Sequence, residues 1–149
     1  MYNGRVTAPP HPNADAPLAL LLRLVGGVEL LAAAFVVVPL GWMGEVHDRV
    51  LGLGPLPPGA IVEYMARSLS ALYAAHGAMV AFLSLDVPRY RPLIGLLGWL
   101  HVALGCALFG TDVSAGLPWY WVAGEGPVIA ACGALIVVLA RRGNAAQAG

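Results

Sequence analysis

Four stretches of this chain are apolar over roughly the 20 residues that a helix needs to cross the hydrocarbon layer of a membrane. They fall at about 18–39, 61–85, 93–110 and 119–140. Runs of that length predict an all-α fold, a four-transmembrane-helix antiparallel bundle spanning 18–142. Charge supports it: 11% of the residues are charged, where soluble domains carry about a quarter. Eight basic residues balance eight acidic ones, so nothing points to nucleic acid. With 149 residues the chain fits one domain.

Basic residues near span ends set orientation. Arg5 and Arg23 flank the first run, Arg89 and Arg91 lie in "DVPRYRP" between the second and third, and Arg141 and Arg142 close the fourth. The other two loops offer only Arg49, beside Glu45 and Asp48, and Asp112. Both termini and the "DVPRYRP" loop are therefore expected to be cytoplasmic, in a multi-pass protein of a bacterial-type inner membrane. Trp42, Tyr64, Trp119, Tyr120 and Trp121 would then form an aromatic belt on the outer side. The Pro-rich segment 1–17 is expected to be a disordered cytoplasmic tail, and 143–149 a second tail. The first run carries Arg23 and Glu29 and does not read as a signal peptide. A short helix over 43–51 is expected to lie on the outer surface, before "PLPPG" breaks the chain.

The second run is more polar than its place in a membrane would suggest. "VEYMARSLSALYAAHGAMVAFLSLD" carries Glu63, Arg67, Ser70, Tyr73 and His76 on one half of a helix. The other half is Met65, Leu69, Leu72 and Met79. At about 1.5 Å per residue, Glu29, His76 and His101 share one layer near mid-membrane. Glu63, Arg67 and Glu125 form a second layer about 4–10 Å below the outer surface, with Asp112 just above it. Gly26 and Ala33 share the face of Glu29, and Gly98 and Gly105 that of His101. Small residues allow close helix approach, so the three deep ionisable groups are expected to point inward.

Buried ionisable groups in a membrane mark pairs, cavities or functional sites. Glu63 and Arg67 have the spacing and order of a helix ion pair; Arg67 is also a fork for a polar or anionic ligand. Glu125, between two glycines and before Pro127, predicts a kinked or unwound helix. It is read as a partner of Arg67, as a carboxylate at a cavity mouth, or as both. His76 and His101 are read as hydrogen-bonded to Tyr73, Glu29 or backbone, as a proton relay with Glu29, or as ligands of a haem b iron. No spacing in the chain is that of a metal site, so no metal is expected. Cys106 and Cys132 read as packing residues whose depths differ by about 13 Å, too far for a disulfide.

With these residues in view, the chain from about 62 to 138 resembles the small DoxX-like four-helix membrane proteins. The likeness rests on "ARSLSALYAAHG", "GWLHVALG", "TDVSAGLP" and "AGEGP". It implies a four-helix bundle and no established reaction. In relatives an arginine is expected in the middle of the third span, where this chain has His101. The sequence-level function is a non-enzymatic membrane protein that binds a lipid or a quinone-like ligand in an outward-facing polar pocket of Arg67, Glu125, Glu63 and Asp112. Tyr73, His76, His101 and Glu29 would lie deeper. Service as an accessory subunit of a membrane complex, or as a homo-oligomer, belongs to the same reading. The alternative is a redox enzyme using haem or quinone, or an isomerase-type enzyme working through the histidines and Glu29.

Overall fold

The structure, a computed structural model, describes residues 15–148, with side chains described to residue 143. Residues 1–14 of the expected tail lie outside it. Among the described residues every regular element is helical. Three stretches are long and apolar enough to cross a membrane: Ala16–Val37, Val87–Ser114 and Trp119–Gly143. The expected second span is a helix of sufficient length, α4 (Ala60–Leu83, 24 residues). Its polar face keeps it out of that apolar class.

The first stretch is a rod in three parts. Helix α1 (Ala16–Leu30) starts two residues before the expected span, with a proline in its first turn; the missing N–H costs nothing there. A 3₁₀ turn at Leu31–Ala33 tightens the rod just after Glu29 and leads into α2 (Ala34–Val37). Val38 is extended, with ψ 140°, because Pro39 excludes the helical conformation from the residue before it. The next helix, α3 (Leu40–Glu45), continues through a π-type turn at Val46–Val50. It begins three residues earlier than the predicted 43–51 helix. Tyr120 Oη donates to the Leu51 carbonyl at 2.6 Å and ties this connection to a residue 69 positions along the chain.

Helix α5 (Val87–Ser114) corrects the reading of "DVPRYRP" as a loop. The Asp86 side chain accepts from the Arg89 amide at 3.2 Å, and a proline sits in the first turn. That is a helix start, and it prevails over Pro92. Arg91 is consequently buried rather than free in a loop. It donates to the Ala140 carbonyl at 3.2 Å and to both Asp15 oxygens at 2.6 and 2.7 Å. Gly116, with φ +69°, turns the chain out of α5. Helix α6 (Trp119–Gly124) and helix α7 (Gly126–Ala148) are separated at Glu125, whose ψ is −79°. The predicted break in the fourth span is therefore present, and α7 runs on into the expected 143–149 tail as far as Ala148.

Glycines decide how the long helices meet. A Cβ on Gly98 would lie 2.9 Å from the Gly133 carbonyl, and one on Gly126 would lie 2.6 Å from the Gly105 carbonyl. The two crossings are seven residues apart on each helix and run in opposite senses, so α5 and α7 form an antiparallel pair in backbone contact. Gly26 and Gly77 do the same for α1 and α4, with each virtual Cβ 2.7 Å from the other's carbonyl. In lipid such contacts hold helices through dispersion rather than through the hydrophobic effect. The two pairs then join through one apolar core: Leu18 and Leu22 of α1, Val80 and Leu83 of α4, Val87, Ile94 and Leu97 of α5, and Ile136 and Ala140 of α7. All nine lie in the half of the molecule that carries the α4–α5 turn. In the other half the only buried residues among those described are glycines at the crossings and Asp112.

Candidate functional site

The apolar core ends at a layer of three ionisable side chains, one from each of three helices. Glu29 of α1 meets His76 of α4 with Oε2 to Nδ1 at 2.6 Å. His101 of α5 presents Nε2 to Glu29 Oε1 at 3.9 Å. The imidazole rings are 5.2 Å apart, tilted by 44°. The glycine crossings place these groups. Gly26 and Gly77 bring α1 against α4 one turn from Glu29 and next to His76, and a Cβ on Gly133 would lie 2.7 Å from the His101 Cβ. One layer of Glu29, His76 and His101 is what the sequence depths predicted.

The hydrogen bonds fix one histidine tautomer. His101 Nδ1 lies 2.9 Å from the Leu97 carbonyl. A carbonyl only accepts, so Nδ1 carries a proton, and Nε2 is the nitrogen turned toward Glu29. His101 is buried, whereas His76 and Glu29 keep 32% and 18% side-chain exposure, so the layer opens on one side. Two imidazole rings so close, both turned to one carboxylate, leave no gap between them for a haem macrocycle.

A ligand-forming set does arise here that the sequence reading did not contain. One donor atom from each of Glu29, His76 and His101 falls within 4.8 Å of the others. No spacing rule could have found it, because the three donors come from three separate helices. The shared depth and the small-residue faces were the only signal.

The rest of the expected pocket does not come together as one unit. Arg67 does not pair with Glu125. Its Nη2 and Nε meet Glu63 Oε1 at 2.9 and 3.0 Å, and Nη1 donates to the Val36 carbonyl. Val36 lies in the last turn of the first rod, where carbonyls have no helical partner and the helix dipole is negative. Arg67 thus closes the end of α2 and is neutralised by the carboxylate four residues before it. Matching depth did not bring Arg67 and Glu125 within ion-pair distance. Glu125 instead accepts from Trp121 Nε1 at 2.6 Å. It borders an open groove of about 500 Å³ lined by Val50, Leu51, Tyr120, Trp121, Val128 and Ile129. Asp112 is buried at the end of α5, and its Oδ2 has no hydrogen-bond partner among the described residues. Tyr73, on α4 between these levels, is partly covered.

On α4 the predicted faces hold. Met65, Leu69, Leu72 and Met79 are exposed, while Glu63, Arg67, Ser70, Tyr73 and His76 are partly covered. Cys106 and Cys132 are both free. No family model, curated protein or solved structure matches the chain.

Proposed function

We propose that this chain is a multi-pass inner-membrane protein, a four-helix antiparallel bundle of the DoxX-like kind with both termini cytoplasmic, which binds a small amphipathic ligand, quinone-like or lipid. The observation that carries this reading is where the apolar core stops. Below the Glu29–His76–His101 layer the helices are joined by well-buried leucine, isoleucine and valine. Above it, α4 offers a partly covered polar stripe, and a groove lies beside Glu125. A polar head entering from the groove would pass Tyr73 and meet His76, while its tail remained against apolar helix faces. Such a site needs few polar groups and a mostly apolar wall. Service to a larger membrane complex is compatible with it.

The test is a search for the ligand. Solvent extracts of the protein purified in mild detergent should contain a quinone or lipid enriched over the detergent background. A short-chain benzoquinone should quench Trp121 fluorescence saturably, and Tyr73→Phe with His76→Gln should abolish the saturable part. An extract without enrichment, together with quenching that never saturates, would sink this reading.

A further inference from the structure

We propose that Glu29, His76 and His101 form an intramembrane binding site for a divalent first-row transition-metal ion, zinc or iron(II). The site stands on these three side chains and their helices and does not require the ligand reading above.

The first ground is geometry. Two imidazoles and one carboxylate converge with their donor atoms within 4.8 Å of one another. A tetrahedral ion with bonds of about 2.0–2.1 Å needs its donors roughly 3.4 Å apart. From a spread of at most 4.8 Å, donors must shift by roughly an ångström to reach that distance. The second ground is the hydrogen-bond inventory. His101 Nδ1 is committed to the Leu97 carbonyl, which leaves Nε2 as the nitrogen that faces Glu29 Oε1, across 3.9 Å. A cation between these two atoms, a proton or a metal ion, would serve both. The bond from Nδ1 to a backbone carbonyl is also what orients a ligating histidine and raises its basicity.

The third ground is charge. A carboxylate in the middle of a membrane needs positive charge as well as the hydrogen bond it shares with His76 at 2.6 Å. Arg67, the nearest basic group along α4, is taken by Glu63 and the Val36 carbonyl, and Arg91 by Asp15. A divalent ion would neutralise Glu29 and satisfy both histidines at once. The donors choose the ion. Two nitrogens and one oxygen, with no thiolate and no ring of oxygens, suit zinc or iron(II) rather than copper(I), calcium or magnesium. Cys106 and Cys132 are not part of the set. Three protein ligands leave a further position open, as in metal sites that carry out chemistry, and the partial exposure of His76 and Glu29 puts that position on the open side of the layer.

The test uses the full-length, tag-free protein in detergent, stripped with a chelator and titrated with Co²⁺. Visible d–d absorption should grow to one equivalent and disappear when Zn²⁺ is added. His101→Ala, His76→Ala and Glu29→Gln should each weaken Co²⁺ binding by more than the roughly 10–100-fold typical of outer-shell changes. His47→Ala, distant on the π-type turn, should leave it unchanged. X-ray absorption of the zinc-loaded wild type needs no variant and so decides the matter even where a variant fails to fold. A first shell with two imidazoles and oxygen supports the site. A shell with fewer imidazoles, no stoichiometric Co²⁺ spectrum, or a spectrum indifferent to all three ligand changes overturns it. Failure of the quinone and lipid experiments leaves these readouts untouched, so the two ideas fall separately.

Discussion

Replacing one glycine in α5 should weaken the protein while replacing another, five residues along, should not. A methyl group on Gly110 meets nothing within 4 Å, so Gly110→Ala adds helix propensity, worth up to about 1 kcal/mol. At Gly105 the same methyl would lie 2.8 Å from the Ala130 Cβ and 2.5 Å from the Ala130 amide nitrogen, and it would also press on the Gly126 carbonyl. Ordinary contact begins near 3.4 Å, and none of these atoms can rotate away. The α5–α7 seam must open by close to an ångström, which forfeits about a quarter to a half of the dispersion at each contact along it. Overpacking of this sort costs about 1–3 kcal/mol. The propensity gain is common to both variants, so Gly105→Ala should be less stable than Gly110→Ala by about that full amount. Reversible unfolding in mixed micelles, followed by far-ultraviolet circular dichroism, measures the difference. Equal stabilities, or a more stable Gly105→Ala, would refute the claim that backbone contact at this crossing holds the pair.

Arg67→Ala and Glu63→Ala should couple in a double-mutant cycle, whereas Arg67→Ala and Glu125→Ala should add within about 0.5 kcal/mol; coupling of the second pair in the same unfolding assay would contradict the geometry. Arg91→Ala should cost about 3 kcal/mol or more, because it leaves Asp15 and the Ala140 carbonyl without their donor, and a loss below 1 kcal/mol in chemical denaturation would argue against a buried pair. Arg89→Cys, in a variant lacking Cys106 and Cys132, should react with an impermeant maleimide only after the cells are opened, and labelling of intact cells would reverse the orientation.

Depth was legible in the sequence; direction around the helix was less so. Glu29, His76 and His101 were placed in one layer by counting residues from span ends, and Gly26, Gly98 and Gly105 marked the inward faces correctly. Gly126 and Gly133, which complete the α5–α7 seam, were not singled out, although they repeat the seven-residue spacing of Gly98 and Gly105. The Arg67–Glu125 pair failed because counting supplies one coordinate. A carboxylate four residues away on the same helix and an unpaired carbonyl at Val36 were nearer partners, and the second leaves no mark on composition. Arg91 was misplaced because the charge rule for loops assumes that basic residues between spans are in loops. The Asp-Val-Pro start of α5 was the local signal that overrides it.

The two glycine-joined pairs also imply an order of assembly. Glu29 and His76 are 47 residues apart in the chain, and both belong to the pair that is synthesised first. Until α4 emerges, the carboxylate must wait beside the bilayer or enter it without its hydrogen-bond partner, at a cost of about 3 kcal/mol on insertion scales. His101 arrives only with α5, as part of a second hairpin whose closure with α7 depends on different glycines. The three-residue layer therefore forms last, when two finished hairpins dock, and a ribosome that stops after the first one releases a product with the carboxylate and a single imidazole.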